Sequence, residues 1–442
     1  MRSKSFLLVA LVGFGYTAQL LGCGSGSAGG GSGGATGSGG QGTGGSGSGG
    51  NGSGGATASG GKTGSGGGTA SGGSTGSGGG SGGGTASGGS NGSGGGAASG
   101  GNTGSGGAAG SGSGGSTGSG GSAGGANGWS CPPATSFTGS PFTGTTIAAA
   151  KIPDAPPMDT FNNMGNDFTN VEGPVWIGDS LYFSEYKTTD VPPSRILKIA
   201  PGDTTTVFIS DSGSNGLATD GAGNIISANH KAHGIVRFSL PDKTPTTLVS
   251  MANGKSLNSP NDLTVAANGT IYFTDPSHQN SSNPQGATRV YQLLPGGTQA
   301  TVVTDYTMQP NGIALSLDEQ TLISGGQSGV KKYPITSGAV AMTGTSFGPS
   351  EVTASGVNAD GMTLDCAGNL YVAVAGGNAV VVVKPDGSKL GTVTVTDPQN
   401  QAKVTNVAFG GTDHQTLYVT AQGAGKGQGV YKIHLSIPGK PF

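Results

Sequence analysis

Between Trp129 and Phe442, short apolar runs rich in Tyr, Val and Ile alternate with polar turns, and no stretch shows a sustained helical period. One pattern recurs six times: an oxygen-bearing side chain, an apolar run, a turn and a second apolar run. The repeats begin 43 to 50 residues apart. A repeat of this length, built from short strands, is typical of a propeller blade. The pattern therefore predicts an all-β fold, namely a six-bladed β-propeller of four-stranded antiparallel blades.

The side chain that opens each repeat should lie where the innermost strand of a blade begins, beside the central channel. These leading residues are Glu172, Asn215, Asn261, Asn311, Asp360 and Asn406. Asn-Gly and Asp-Gly are also strong hairpin signals, so simple turns are the alternative interpretation. Each repeat, however, has a separate turn further along, such as Asn268-Gly269 in the third. We therefore expect several leading residues to line a functional site.

Histidines follow the second strand in two of the repeats. Antiparallel pairing places the end of the second strand at the same face as the start of the first. His230, His233 and His278 should therefore lie on the face of the leading residues, as should Glu185. For any one of these histidines, a solvated loop position is the simpler explanation. As a group they indicate a polar face, and His230 and His278 are candidate substrate contacts.

The segment before the first repeat contains two features that bear on the fold. Residues 145–152 could supply the outer strand of the last blade, next to the C-terminal strand at 429–433; a loose surface segment is the alternative. Cys131 and Cys366 could pair in an oxidising compartment and pin this segment to the fifth blade. The sequence leaves that pairing open. Because Cys366 lies in a predicted hairpin turn, we expect it to be exposed.

Composition divides the chain into a low-complexity part and a globular part. The 95 glycines lie mostly before Trp129. Residues 24–128 are rich in Gly, Ser, Ala, Thr and Asn, with Lys62 almost the only charge. Such a composition predicts a disordered linker, because it buries too little apolar surface to offset the entropy of ordering. The formal net charge of −2 gives no electrostatic case for a nucleic-acid partner.

Residues 1–23 have the features of an export signal. Arg2 and Lys4 precede an apolar stretch, Phe6 to Phe14, that is too short to span a membrane. The segment ends in Leu-Leu-Gly-Cys23, which resembles a bacterial lipobox. That resemblance implies a lipid anchor on Cys23 and an exported cell-envelope lipoprotein, on the periplasmic or cell-surface side. An ordinary signal peptide is the alternative. The predicted domains are thus 1–23, 24–128 and 129–442.

The leading residues suit a hard divalent cation. Two carboxylates and several amide oxygens are the donors that calcium prefers, and the donor type alone leaves magnesium and manganese open. Zinc is disfavoured, because no Cys/His cluster has the spacing of zinc ligands. A cation here could polarise a carbonyl or phosphoryl oxygen and stabilise the charge formed during attack. A neighbouring carboxylate could act as the general base.

Five motifs resemble those of the regucalcin/gluconolactonase (senescence marker protein-like) family of six-bladed propellers. They are EGPVW from Glu172, NSPNDL from Asn258, YFTDP from Tyr272, PNGIA from Pro310 and DGM from Asp360. The resemblance implies that Glu172, Asn311 and Asp360 bind one divalent metal, usually calcium. It also implies that Asn261 contacts substrate or a metal-bound water, and that Asp360 is the catalytic base. Ser259 departs from animal regucalcins, which have a substrate-contacting arginine there.

These observations together predict a calcium-dependent hydrolase of lactones such as sugar lactones, which we expect to be a monomer. Diisopropyl fluorophosphatases, which are related to this family, use the same ring positions, so a phosphotriesterase-like hydrolase is one alternative. A propeller that binds a ligand or a protein on its polar face without catalysis is the other.

Overall fold

The computed structural model describes residues 129–152, 161, 168–187, 193–279, 282–397, 399–423 and 427–441. The predicted signal segment, its Cys23 and the predicted linker at 24–128 lie outside these residues. The described part of the chain is all-β, and helix is confined to a 3₁₀ turn at Ala134–Ser136 and to α1 at Ser350–Thr353. None of its helices is both long and apolar enough to cross a membrane.

Strands follow one another along the whole described chain, joined by short turns. In the first half they are β1 (Thr146–Lys151), β2 (Asn170–Ile177), β3 (Ser180–Tyr186), β4 (Ser194–Ala200), β5 (Thr204–Ile209), β6 (Ser214–Thr219), β7 (Ile225–Asn229), β8 (Gly234–Ser239), β9 (Thr244–Val249), β10 (Met251–Ala252), β11 (Lys255–Ser256), β12 (Leu263–Val265), β13 (Ile271–Asp275), β14 (Arg289–Leu293) and β15 (Thr301–Val302). In the second half they are β16 (Pro310–Leu315), β17 (Thr321–Gly326), β18 (Lys331–Thr336), β19 (Ala339–Val340), β20 (Thr345–Ser346), β21 (Ala359–Leu364), β22 (Leu370–Val374), β23 (Ala379–Val383), β24 (Lys389–Val395), β25 (Lys403–Gly410), β26 (Thr416–Gln422) and β27 (Gly429–His434).

The sheets follow the sequence repeats. Strands β2–β5, β6–β9 and β12–β15 each form a four-stranded sheet in chain order. Strands β16–β19 continue the series, with β20 also pairing with β18. The two apolar runs of every repeat form the first two strands of its sheet, as the pattern predicts. A further hairpin, β10–β11, stands between the second and third sheets.

The last two repeats share one eight-stranded sheet, which the sequence pattern did not predict. Its order is β21-β22-β23-β24-β1-β27-β26-β25. The prediction that the lead-in joins the last repeat is confirmed, because Lys151 of β1 pairs antiparallel with Tyr431 of β27. The first half of β1 also pairs in parallel with β24, where Thr146 lies opposite Thr392. One strand from the start of the domain therefore joins its two last repeats.

The first strands of the six repeats contact one another in a closed cycle. Strand β2 contacts β6, β6 contacts β12, β12 contacts β16, β16 contacts β21, β21 contacts β25, and β25 contacts β2. Neighbouring sheets share apolar cores. Tyr182 packs in a cluster with Leu217 of the second sheet, whereas Leu181 and Phe183 pack in another with Tyr418 of the last. Alternate residues of a strand face opposite sides of its sheet, so β3 is buried along its whole length.

Cys131 and Cys366 form a disulfide, which settles the pairing that the sequence left open. The expectation that Cys366 is exposed was wrong, because its residue is fully buried. The C-terminal tail covers this turn: the backbone N–H of Cys366 donates to the Pro438 carbonyl at 2.8 Å. Trp129 adds a second fastening, since its ring nitrogen donates to the Gly439 carbonyl at 3.3 Å. Both chain ends of the described domain are thus tied to one hairpin turn.

Candidate functional site

Five leading residues are buried where the first strands of their sheets begin. Glu172, Asn215, Asn261, Asn311 and Asp360 each expose at most 6% of their surface. In four of the five repeats, the pairing register between the first and second strands shifts at or next to the leading residue. An extra residue of this kind bends a strand and re-aims a side chain. We call this end of the strands the site end, and the end with the hairpin turns between first and second strands the turn end.

Hydrogen bonds between neighbouring sheets hold the backbone of the leading residues. The hydroxyl of Ser184 donates to the Asn215 carbonyl at 2.6 Å. The hydroxyl of Thr274 donates in the same way to the Asn311 carbonyl at 2.7 Å. In each case the donor stands on the second strand of one sheet and the acceptor on the first strand of the next. This bonding gives the side chains of the site end a rigid support.

Glycines let the first strands approach closely at the site end. A Cβ at Gly312 would lie 2.0 Å from the carbonyl oxygen of Asp360, and one at Gly173 would lie 2.4 Å from that of Asn215. Both distances are far below van der Waals contact. The glycine after the leading residue is therefore a steric requirement of these repeats as well as a turn signal.

The structure corrects the alignment of the sixth repeat. The register shift of β25 lies immediately before Asn406, and Asn406 Oδ1 accepts the N–H of Val407 at 2.8 Å. In the third repeat Asp262 makes the same local bond, to Leu263 at 2.9 Å. Asn406 is therefore equivalent to Asp262, one position after the leading residue. Thr405, and not Asn406, stands where the other repeats have their leading residue.

Three buried carboxyl groups interact at the site end. Burial raises the pKa of Glu172 to about 8, and the charge of Asp262 adds to the shift. Burial raises the pKa of Asp360 well above its usual range, with further contributions from the charges of Glu172 and Asp262. Burial also raises the pKa of Asp262 to about 7. Repulsion between these groups means that they lie near one another.

Two side-chain amides lie beside this carboxyl cluster. Hydrogen bonding from Asn311 lowers the pKa of Asp360, and hydrogen bonding from Asn406 lowers the pKa of both Glu172 and Asp262. The structure therefore brings together Glu172, Asn311 and Asp360, the three residues that the sequence proposed as a set. Asp262 was missed as a member. The sequence could have identified it, because Asp262 is an acid at the position directly after the leading residue, where four of the repeats have glycine.

The donor set fits a hard cation. None of the ion pairs among the described residues includes Glu172, Asp262 or Asp360. The side-chain oxygen of Asn215 is buried without a hydrogen-bond partner in this part of the chain. Repelling carboxylates and an orphaned amide oxygen are what a divalent cation would satisfy. No three His, Cys, Asp or Glu side chains of the described residues form a metal-binding group, so amide oxygens must complete any such site.

The histidines stand beside the loop that leads into the third repeat. His230 is buried and its ring bonds to the Pro260 carbonyl, while its Nε2 has no partner among the described residues. Burial lowers the pKa of His230 to about 3, and repulsion from His233 and His278 adds to the shift. His278 Nε2 is likewise buried without a partner in the described chain. Both rings therefore offer a nitrogen to a ligand.

Asn261, the remaining candidate substrate contact, is fixed through its backbone. Its N–H donates to the Thr274 carbonyl at 2.9 Å, and its carbonyl accepts from the Gly216 N–H at 2.8 Å. Ser259, two residues earlier, is fully buried, and its hydroxyl donates to the Pro276 carbonyl at 3.2 Å. Ser259 stands at the position of the arginine in animal regucalcins, but its buried and bonded hydroxyl does not take over a substrate contact.

The structure assigns different roles to two neighbouring residues at the end of β3. Glu185, expected to mark the polar face, is buried and accepts a charged hydrogen bond from Arg195 Nε at 2.8 Å, so its role is structural. Tyr186 was missed by the sequence argument. Burial raises the pKa of its phenol well above the usual value, with added repulsion from Glu172 and Asp360. The Tyr186 ring is therefore part of the site.

Known proteins are similar to this chain over the same region. Residues 171–423 match the family model described as SMP-30/Gluconolactonase/LRE-like region. A gluconolactonase of Zymomonas mobilis is 28% identical over 289 residues, which cover 58% of this chain and 78% of that protein. A solved gluconolactonase from Xanthomonas campestris is 27% identical with a TM-score of 0.52, covering 65% of this chain and 97% of its own. A calcium-binding protein, regucalcin, from Agrobacterium tumefaciens is similar in fold, at 17% identity and a TM-score of 0.51, covering 68% and 97%.

Proposed function

The chain belongs to the SMP-30/gluconolactonase/LRE-like family, and on that premise we propose that this protein is a divalent-cation-dependent hydrolase of lactones such as sugar lactones. The observation that carries the proposal is the buried cluster of Glu172, Asn311 and Asp360, whose carboxyl groups repel one another and have no cationic partner among the described residues. The similarity to a gluconolactonase over most of its length gives the substrate class.

The proposed architecture is a six-bladed β-propeller. Six antiparallel repeats, whose first strands contact one another in a closed cycle, support it. In such a fold the innermost strands surround a central channel and the ligand site opens at one end of it. The leading residues of the blades would then face the axis together, which agrees with the repulsion between Glu172 and Asp360.

Glu172, Asn311 and Asp360 would hold the cation, which we propose to be calcium, as in the protein of similar fold from Agrobacterium. Their oxygen donors also suit magnesium or manganese. The bound ion would supply a positive charge that polarises the lactone carbonyl and stabilises the oxyanion. Asn215 Oδ1 is a further buried oxygen without a protein partner in the described chain, and it is a candidate to join this set.

The proposed catalytic base is Asp360. Its Oδ1 accepts the N–H of Gly361 at 3.1 Å, which fixes the orientation of the carboxylate. Asp360 would take a proton from the attacking water as the oxygen of that water bonds to the lactone carbonyl carbon. The ring C–O bond then breaks, and the departing ring oxygen receives the proton, so lactone and water give one hydroxy acid.

Substrate contacts are proposed for Asn261, His230, His278 and Tyr186. The free Nε2 atoms of the two histidines can accept hydrogen bonds from hydroxyl groups of a sugar lactone. Their depressed pKa values keep both rings neutral at physiological pH, because burial disfavours the charged form. A neutral ring preserves the acceptor that a protonated ring would lose.

We propose that the protein acts outside the cytoplasm, as a monomer held to a membrane by a lipid on Cys23, with residues 24–128 as the linker to the globular domain. The sequence of the first 23 residues supports this proposal. The disulfide between Cys131 and Cys366 supports it independently, because such bonds persist in oxidising compartments.

A substrate panel tests the proposed function. The purified protein is stripped with a chelator and assayed on γ- and δ-lactones and on a fluorophosphate, with calcium, magnesium or manganese then restored. We expect lactone hydrolysis that chelation abolishes and calcium restores. Faster turnover of the fluorophosphate would instead indicate a phosphotriesterase. Metal binding without turnover of any ester would contradict the hydrolase and favour a non-catalytic binding protein.

A further inference from the structure

We propose that Asn406 and Asp262 form a hydrogen-bonded bridge across the central channel, and that Asn406 thereby positions Glu172 for cation binding. The proposal rests on the proposed function for the cation but assigns a role to two residues outside the ligand set. Asn406 belongs to the sixth repeat and Asp262 to the third, which are three positions apart in either direction around the closed cycle of strands. A side-chain hydrogen bond between them, which the pKa of Asp262 indicates, would therefore span the axis.

Glycines in the other repeats make room for this bridge. Position for position, the remaining repeats have Gly173, Gly216, Gly312 and Gly361. A Cβ at Gly361 would lie 1.9 Å from Asn406 Cγ, and a Cβ at Gly216 would lie 2.7 Å from Asp262 Oδ1. The side chain of Asn406 therefore takes the space over Gly361, and that of Asp262 takes part of the space over Gly216, whereas Gly173 and Gly312 face the backbone of the next repeat. At this position of the repeat, only the third and the sixth repeats carry a side chain.

A backbone hydrogen bond fixes the orientation of the Asn406 side chain. Its Oδ1 accepts the Val407 N–H at 2.8 Å, which leaves the Nδ2 group with two hydrogens to donate. Hydrogen bonding from Asn406 lowers the pKa of both Glu172 and Asp262, which places the Nδ2 group beside both carboxyl groups. One amide therefore serves two acids that repel each other, and its orientation is fixed by a backbone bond.

Glu172 is consequently held from two sides. Its Oε2 accepts the N–H of Gly173 at 2.7 Å, and the Asn406 amide supplies the second bond. Groups that orient a metal ligand without touching the metal commonly change metal affinity 10- to 100-fold when removed. Asn406 is in that sense a positioning residue, and Asp262 anchors it from the opposite wall.

Asp262 and Asn406 also line a small cavity that the C-terminal tail reaches. The cavity has a volume of about 50 Å³ and is lined as well by Leu217, Leu263, Met362, Val407 and the tail residue Lys440.

The calcium affinity of the full-length protein tests this role. Asn406→Ala removes the amide, and we expect the Kd for calcium, measured by titration calorimetry on chelated protein, to rise about 10-fold or more. Asn369→Ala is the matched control, because Asn369 Nδ2 also donates to a buried acid, Asp365, at 2.8 Å but at the turn end. The control should lower the melting temperature without changing the Kd.

Asn406→Ser keeps one hydrogen-bond donor in a smaller side chain, and its Kd for calcium should lie between those of the wild type and the alanine variant. If the alanine variant does not fold, the serine variant tests the positioning role instead. A variant that melts cooperatively and binds calcium as tightly as the wild type would overturn the bridge alone. A wild-type protein that binds none of calcium, magnesium and manganese would overturn the proposed function, and this proposal with it.

Discussion

Two acidic side chains at opposite ends of the strands, Asp318 and Asp360, differ in how their charge is treated by the surrounding protein. At the turn end, Asp318 accepts hydrogen bonds from Ser316 Oγ at 2.6 Å and from the Gln320 N–H at 3.0 Å. Burial opposes ionisation there, but these hydrogen bonds outweigh it and hold the pKa of Asp318 below its usual range. At the site end, burial and the charges of Glu172 and Asp262 raise the pKa of Asp360 far above it.

This contrast teaches where function lies in a repeated fold. Both ends are built from the same first and second strands, so the strand architecture alone does not explain the difference. An acid whose bonds are satisfied locally closes a turn, whereas buried acids that face one another without a counter-ion are a sign of a ligand site. The same chemical group therefore marks structure at one end and function at the other.

The largest expected effect is a loss of activity that occurs on substitution at the site end and not at the turn end. Asp360→Asn should lower kcat/KM for a lactone about 10³-fold, because it removes the proposed base and a cation ligand. Its metal-free melting temperature should not fall, since the change removes a buried carboxyl repelled by Glu172. Asp318→Asn is the control at the turn end, and its activity should stay within about twofold of wild type. A kcat/KM for Asp360→Asn within tenfold of wild type would refute the assigned base.

The second prediction concerns stability at the turn end. Replacing the disulfide by Cys131→Ser with Cys366→Ala should reduce the free energy of unfolding by about 3–5 kcal/mol, because the bond closes a loop of 235 residues. Urea unfolding measures the loss. The Kd for calcium and kcat at 25 °C should be unchanged, because the bond lies at the opposite end of the strands from Glu172. A changed Kd would show that the two ends are coupled.

The pattern of the chain was sufficient for most of the architecture. Repeats with a period near 46 residues, each opened by an oxygen donor, predicted the paired strands and brought Glu172, Asn311 and Asp360 together. Local alternation carries this information, because strand pairing within each repeat depends on neighbouring residues. The eight-stranded sheet was not predictable in the same way. It depends on β1 lying between β24 and β27, which come from the far end of the chain.

The errors at the site have a common physical origin. Asn406 was placed one position early because the sixth repeat has an asparagine, the usual leading residue, directly after its true leading position, and only strand pairing reveals that Thr405 stands there. Tyr186 is the last residue of β3 and has no motif of its own, so its approach to Glu172 is visible only in three dimensions. Cys366 looked exposed because the tail that covers it follows more than 70 residues later.

The smallest of these effects is a pH dependence that originates at the site end. In the folded protein, burial and the neighbouring His233 and His278 lower the pKa of His230 to about 3, whereas an unfolded histidine titrates near 6.5. As pH falls below 6.5, the unfolded chain takes up a proton that the folded protein does not. Stability is therefore lost with falling pH, by about 2 kcal/mol between pH 6.5 and pH 5 from this group.

His230→Asn isolates that contribution. The asparagine amide can replace the ring nitrogen that bonds to the Pro260 carbonyl, but it neither titrates nor offers the free Nε2. Urea unfolding of both proteins at pH 6.5 and pH 5 should show a smaller loss for the variant. At pH 7 the variant should also have a higher KM for a sugar lactone, with its calcium Kd unchanged. Equal pH slopes for the two proteins would mean that His230 is protonated in the folded state, and its role as a hydroxyl acceptor would then be wrong.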